Sequence, residues 1–479
     1  MRFLLRFKRI DHPNSASPDG AMARTLAWPH LIGMGVGATI GTGIFTLTGI
    51  GAGIAGPGVI LSFALAGVIV MFAAFAYTEV ATLIPTSGSA YTYTYTVFGE
   101  APAWIVGWSL ILEYALAASA VAAGWSAHAQ QFLADVFRIH LPLALTAGPL
   151  EGGIVNVLAV FISLLFTALL LVGARDSARL NLVLVAIKLT ALTLFVILAF
   201  PAIKAGNYHP FLPFGVLAHE VHGVNVGVAA AAAIIFFAFY GFDAISTTAE
   251  EVKNPARDLS IGLLGSIGLC IVYYLAVGTV AIGALPFRVF SPSVEPLPFI
   301  LRALHHPLAG VAVAAAAIVA LPSVILVCIY GQSRIFLVMA RDGLLPRLFS
   351  HVDRRGLPSR ITLVTGIGVA VFAGCLPLGK IATLANSGTL LAFIAVCLAM
   401  IVLRLRRPEL KRVFRAPLFW LTGPAAVVGC VWLFLSLSHQ TMIAFGLWNL
   451  LGLAVYFAFG IWNSRMAKPG VELERGPAE

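Results

Sequence analysis

The sequence predicts an all-α membrane protein of twelve transmembrane helices. Three observations carry that prediction. Hydrophobic residues make up 60% of the 479-residue chain and charged residues only 10%, against about 25% charged in an ordinary soluble domain. The mean hydropathy is +0.96. The apolar residues also fall into twelve runs separated by short charged segments. Runs of this kind demand helices. At about 1.5 Å per residue, about 20 residues cross roughly 30 Å of hydrocarbon, whereas barrel strands of about 9–11 residues would alternate in polarity. A soluble enzyme, a nucleic-acid-binding protein and a disordered chain are excluded, because these residues cannot cover so much apolar surface with polar groups.

Taken in order, the first run, 28–56, is threaded with glycine: Gly33, Gly35, Gly37, Gly41 and Gly43 stand around Thr39 and Thr42. Such glycines serve close helix packing or mark a place where a helix unwinds. The second run, 58–84, ends near Glu79, for which a structural role is expected. The third, 103–128, holds Glu113, and the fourth, 154–172, has no charge. The fifth, 178–200, contains Lys188. Its position, about 15 Å along the helix, is deep for a side chain that must reach the membrane surface. The sixth, 224–249, reads Phe236-Phe237-Ala238-Phe239-Tyr240-Gly241-Phe242-Asp243 at its centre. Runs 261–284, 308–339, 361–378, 381–403, 418–437 and 442–462 complete the set. Interruptions in spans 1 and 6, five apart, are the sequence pointer to an inverted-repeat transporter. The four charges at depth point the same way, since an ionisable group inside the bilayer is costly and marks a polar interior or a transport path.

Orientation follows from lysine and arginine. With the N-terminus inside, about 24 of the 30 basic residues lie in cytoplasmic segments, as the positive-inside bias requires. Arg138, Lys204, Arg288, Arg302 and Lys380 lie outside. Both termini are then cytoplasmic, and Met1–Arg9 lacks the long apolar core of a signal peptide. The net charge of +10 is spread over short loops rather than one basic domain, so no nucleic-acid partner is expected. The five cysteines form no CxxC and lie mostly inside apolar runs, which argues for packing rather than disulfides or zinc. No catalytic constellation, metal site or cofactor is expected. The segment GMGVGATIGTG follows no strand and is not a dinucleotide loop.

Several motifs carry a resemblance. Gly41-Thr42-Gly43-Ile44-Phe45 resembles the GxGIF signature of the amino acid–polyamine–organocation (APC) superfamily. Tyr77-Thr78-Glu79-Val80-Ala81 with Pro85 to Tyr91, Gly107-Trp108 with Leu112-Glu113-Tyr114, Gly241-Phe242-Asp243-Ala244, Glu250 to Asp258, and Gln332-Ser333-Arg334 with Met339 to Pro346 follow in the family's order. Together they resemble the cationic amino acid transporter branch in its twelve-span bacterial form. The resemblance implies a LeuT-like 5+5 inverted repeat with helices 1 and 6 broken. On that division 1–27 is a cytoplasmic tail, 28–200 repeat one, 201–403 repeat two, 404–463 two accessory helices, and 464–479 a second tail. It implies an amino acid permease of the cell (inner or plasma) membrane, not an enzyme.

The resemblance places the substrate carboxylate at Ile40, Gly41, Thr42, Gly43 and Ile44. There a half-helix start offers free N–H groups and a positive dipole end. The ammonium would find carbonyls near Phe237, Ala238 and Tyr240, and at Thr39 and Ile40, with Phe237 as an aromatic gate. Tyr240 either narrows the pocket or packs behind it. Spans 3, 6, 8 and 10 would line the side-chain pocket, with Leu321 and Ser323 from span 8. Because Glu113 and Asp243 alone could serve a cationic side chain, a neutral or broad substrate range is expected. An exchanger, or a strictly cationic amino acid or polyamine transporter, stays open as the alternative.

In several superfamily members a span-5 lysine replaces the sodium ion that related folds hold between spans 1 and 8, and Lys188 matches that location. Desolvation disfavours its charged form, so it is expected to load and release a proton, bridging span 1 to span 8 when protonated. Glu113 and Asp243 are its expected companions, tuning Lys188 or holding a helix break. The expected partners are an amino acid, protons and membrane lipid. A small membrane subunit is left open.

Overall fold

The computed structural model describes residues 6–8, 24–172, 174–221, 224–353 and 357–467. The expected tails at 1–27 and 464–479 fall largely outside them. Eight helical stretches are long and apolar enough to cross a membrane. Three shorter apolar helices fill expected runs between them. The chain is a multi-pass membrane protein.

The first run is split into α1 (Trp28–Thr39), α2 (Thr42–Phe45) and α3 (Leu47–Ala55). Then come α4 (Val59–Leu83), α5 (Ser89–Phe98), α6 (Glu100–Phe137), α7 (Val157–Val172) and α8 (Ala174–Ala199). A two-stranded hairpin, β1 (His219–Val221) and β2 (Val224–Val226), pairs antiparallel with His219 opposite Val226. The sixth run is also split. α9 (Val228–Ile235) passes into a 3-10 turn, Phe236–Phe239, and a second 3-10 stretch, Phe242–Glu251, follows. The remainder comprises α10 (Pro255–Ala284), α11 (Pro296–Ala303), α12 (Pro307–Ala320), α13 (Pro322–Arg341), α14 (Ser359–Cys375), α15 (Leu378–Arg406), α16 (Phe419–Leu435) and α17 (His439–Val455).

Proline starts four of these helices, at Pro255, Pro296, Pro307 and Pro322. Its fixed φ suits the first turn, and its missing N–H is one that the first turn leaves unpaired anyway. Pro322 therefore divides the eighth run into α12 and α13. α5 and α11 lie outside the twelve expected runs.

α15 lies along α6, and α10 lies along α4 and α1. Helix α17 is fastened to α6 by reciprocal bonds. Trp108 Nε1 donates to the Trp448 carbonyl at 2.9 Å, and Trp448 Nε1 returns to the Trp108 carbonyl at 3.0 Å. Their rings stack with centroids 4.9 Å apart. Trp104 Nε1 adds a bond to the Gly452 carbonyl at 2.8 Å.

Charges at the helix ends are paired. Glu79, at the end of α4, accepts two bonds of 2.6 Å from Arg404, one of 3.1 Å from Arg412 and one of 2.7 Å from the Ala416 N–H. This is the expected structural role. Glu251 accepts from Arg334 Nε at 2.8 Å and from the Tyr330 hydroxyl at 2.8 Å. Lys8 reaches Asp342 at 2.9 Å, and Arg341 lies 4.0 Å from Glu250. The segments at 250–258 and 334–342 are thus joined by ion pairs. A separate cluster joins Arg302 of α11 to Asp135 of α6 at 2.8 Å and to Glu295.

Candidate functional site

Two interruptions of regular helix lie side by side in the core. In the first, Ile40 and Gly41 leave the helical region, with Ile40 at φ −77°, ψ 92° and Gly41 at φ −131°, ψ −147°. In the second, Tyr240 is extended at φ −62°, ψ 149°, and Gly241 sits at φ +99°. That value is strained for any residue with a Cβ. Two glycines make the approach: a Cβ on Gly43 would run into the Ala238 backbone, and one on Gly241 would come 2.7 Å from Ala38 Cβ. By contrast Gly33, Gly35 and Gly37 are packing glycines, set against Leu182, Ser266 and Asn181.

The Tyr274 hydroxyl of α10 holds the two breaks together. It lies 2.8 Å from the Thr39 carbonyl and 2.6 Å from the Ala238 carbonyl and shares its proton between them. Lys188 of α8 is fully buried and holds the other side. Its ammonium donates to the carbonyls of Gly37 at 3.1 Å and Ile40 at 2.5 Å, and to Ser323 Oγ at 2.7 Å. Ser323 Oγ in turn donates to the Gly37 carbonyl at 3.1 Å. All three ammonium donors are therefore placed, and they bridge α1 to α13.

These bonds change one expectation. The carbonyls of Thr39, Ile40 and Ala238 were assigned to a substrate ammonium, yet each already accepts from Tyr274 or Lys188. A carbonyl has a second lone pair, but the primary donors here are the protein's own. The hydroxyl Thr42 Oγ1 remains without a partner among the described residues. Thr42 also touches α6, where a Cβ on Gly124 would clash with its methyl group.

Of the two roles expected for Glu113 and Asp243, contact with Lys188 is not seen. Glu113 and Asp243 are fully buried, but neither is among the partners of Lys188. Each bonds a neighbour of its own. Glu113 Oε1 accepts from Thr389 at 2.8 Å, and Asp243 Oδ2 accepts from the Tyr114 hydroxyl at 2.8 Å. Asp243 follows the second break, two residues after Gly241, and its Oδ1 has no partner among the described residues. Glu113 Oε2 has no partner among the described residues.

Around the breaks the lining is apolar and aromatic. Phe237 stacks on Tyr240 with ring centroids 6.1 Å apart and planes 8° from parallel. Tyr240 meets Tyr114 edge to face at 5.8 Å, and Cys328 Sγ lies 3.8 Å from its hydroxyl. Val324 and Val121 border Gly41. Leu321 is fully buried at the α12–α13 junction, two residues before the Lys188 contact at Ser323. Ile40, Gly41, Thr42, Gly43, Ile44, Phe237, Ala238, Tyr240 and Ser323 thus stand together with Lys188, whereas Glu113 and Asp243 stand apart from it. Tyr274 escaped sequence reading because it is one tyrosine of a pair in an apolar run, with no spacing that distinguishes it from Tyr273. Asn181 escaped for a similar reason, although a lone amide in an apolar run was a visible signal.

Comparison with known proteins bears on this arrangement. The family model described as amino acid permease matches residues 26–459. The chain is 39% identical to the methylthioribose transporter of Bacillus subtilis (strain 168) over 472 residues, 98% of this chain and 100% of that one. It is 39% identical to the branched-chain amino acid permease BcaP of the same organism over 457 residues, covering 94% and 96% of the two chains. It is 37% identical to the vacuolar cationic amino acid transporter 2 of Arabidopsis thaliana over 417 residues, covering 85% and 64%.

Proposed function

The chain belongs to the amino acid permease family of the APC superfamily, and on that premise we propose that it carries a neutral amino acid into the cell by proton-coupled alternating access. The observation that carries this reading is the Lys188 ammonium bridging the Gly37 and Ile40 carbonyls to Ser323. A cation at that point fastens the first broken helix to the eighth span. Once the proton leaves, the charge-assisted bonds weaken, and the helix is free to adopt another position. Proton binding then shifts a population between two arrangements of the gate.

The substrate carboxylate takes the N–H groups and hydroxyl around Gly41, Thr42 and Gly43, and Phe237 covers it. Its side chain faces Val121, Leu321, Val324, Tyr240 and Cys328. That apolar lining supports a neutral side chain; Glu113 and Asp243 each bond a neighbour through one oxygen, to Thr389 and Tyr114. We read the architecture as twelve spans in a LeuT-like 5+5 inverted repeat. Its first span is α1 to α3, its sixth is α9 to Glu251, and its accessory pair is α16 and α17. With cytoplasmic termini in the cell membrane, the Glu251–Arg334 and Lys8–Asp342 pairs close the inner side.

The test is uptake by purified protein in liposomes. An acid-outside gradient should drive leucine accumulation with no amino acid inside, and Lys188→Gln should abolish it while the protein still folds. Accumulation that requires internal amino acid would make the protein an exchanger. Arginine taken in preference to leucine would overturn the neutral assignment. Methylthioribose belongs in the same panel because of the relative that bears its name; tighter binding of that compound, which lacks the zwitterion, would overturn the amino acid reading.

A further inference from the structure

The first half of the broken span is held by α8 at two levels, and only one involves the lysine. Asn181 lies seven residues before Lys188 on α8, about two turns along the same face. It is buried, at 1% exposure, and its Nδ2 donates to the Gly33 carbonyl of α1 at 3.0 Å. Its amide also fills the notch beside Gly37: a Cβ there would stand 2.6 Å from Asn181 Oδ1 and 2.8 Å from Nδ2. Lys188 takes up the contact where Asn181 leaves it, at Gly37 and Ile40. One helix therefore touches α1 through a neutral amide on Gly33 and through an ammonium beside the break. A carboxamide exchanges no charge with the medium, whereas an ammonium can.

We propose that Asn181 is a positioning residue of the coupling device, the fixed pivot about which α1 moves when Lys188 changes charge. This rests on the reading of Lys188 as the proton-carrying group. Deprotonation weakens the bonds at Gly37 and Ile40 and leaves the bond at Gly33 as it was. α1 then turns about Gly33 instead of sliding along α8, and proton loss becomes a displacement at Ile40 and Gly41. Without the amide, α1 moves whether or not Lys188 is charged, and the proton no longer dictates the state of the gate.

The experiment compares wild type, Lys188→Gln, Asn181→Ala and Asn181→Leu in liposomes with radiolabelled leucine. It reads counterflow at equal pH on both sides, repeated from acid to neutral, and accumulation under an acid-outside gradient. Both Asn181 variants should keep most of their counterflow but lose about tenfold in accumulation, within the usual span of coupling energies. Their counterflow should also become insensitive to pH. Leucine at position 181 retains the packed volume without the donor, so it reports where the alanine variant is unstable. Wild-type accumulation in both variants would overturn the proposal. So would equal loss of both activities with an unchanged pH profile, or failure of both variants to fold, since each marks a merely structural role. If Lys188→Gln accumulates leucine normally, the Lys188 reading falls and the pivot with it. If only the Asn181 variants accumulate normally, the pivot alone falls.

Discussion

Lys188 is surrounded by acceptors of unequal kind: two backbone carbonyls that no substitution removes, and one hydroxyl that a substitution does. Ser323→Ala should therefore damage gradient-driven uptake less than Lys188→Gln. A hydrogen bond to a charged group is worth about 1.5–3 kcal/mol, and the carbonyls still hold the ammonium. Initial uptake rates should rank wild type, Ser323→Ala, Lys188→Gln; equal loss in the two variants would show that the hydroxyl is as necessary as the charge. Lys188 itself was legible in the sequence, because a lone cation deep in an apolar run has few explanations. Its partners were legible only as spans. The Thr39 and Ala238 carbonyls, expected to face a substrate ammonium, already accept from the Tyr274 hydroxyl, which sits far away in sequence and has nothing local to mark it. The bonds of Glu113 to Thr389 and of Asp243 to Tyr114 were hidden for the same reason, since adjacency of distant spans is decided by packing.

At the level of elements, the second break depends on Gly241. Any side chain there pays about 1–2 kcal/mol for the left-handed backbone, and its Cβ meets Ala38, where overpacking adds about 1–3 kcal/mol. Gly241→Ala should lower the unfolding temperature of the solubilised protein and remove leucine uptake. Gly368 in α14 is the matched control. Its Cβ would meet nothing within 4 Å, so Gly368→Ala should be neutral or gain about 0.5–1 kcal/mol. Equal effects of the two would refute the role given to φ at position 241. The breaks were visible in the sequence as glycine beside polar residues in spans 1 and 6. α5 was not, because Tyr-Thr-Tyr-Thr-Tyr alternates like a strand. Its burial on nearly every side removes the helical stripe that would have identified it.

Across the whole molecule, charge pairs tie the ends of distant helices. Glu79 is the densest tie, with Arg404, Arg412 and the Ala416 N–H on one carboxylate. Breaking a buried pair costs about 3–5 kcal/mol, and Arg404 retains some solvent, so Glu79→Gln should fall toward the lower end. Thermal unfolding should show that loss, with leucine affinity unaltered in the folded fraction. A second tie responds to pH. Burial pushes the Glu295 carboxyl above its ordinary 4.5, against the pull of Arg302 and with a small push from Asp135. The folded protein thus holds this proton more firmly than the unfolded chain does. Its contribution is complete below about pH 4.5 and is lost as pH rises through the raised value. Glu295→Gln should flatten that part of the dependence of unfolding temperature on pH; an unchanged slope would assign it elsewhere. Neither tie was legible in the sequence, since composition reports how many charges a loop carries and not which ones meet.

The paired indoles between α6 and α17 carry a consequence for motion. Two mutual N–H bonds and a stacked face leave these helices no low-cost way to slip past each other. They form a single strut that couples α17 to α6. Any excursion of α6 is therefore carried into α17, and a restraint placed on α17 is felt at α6.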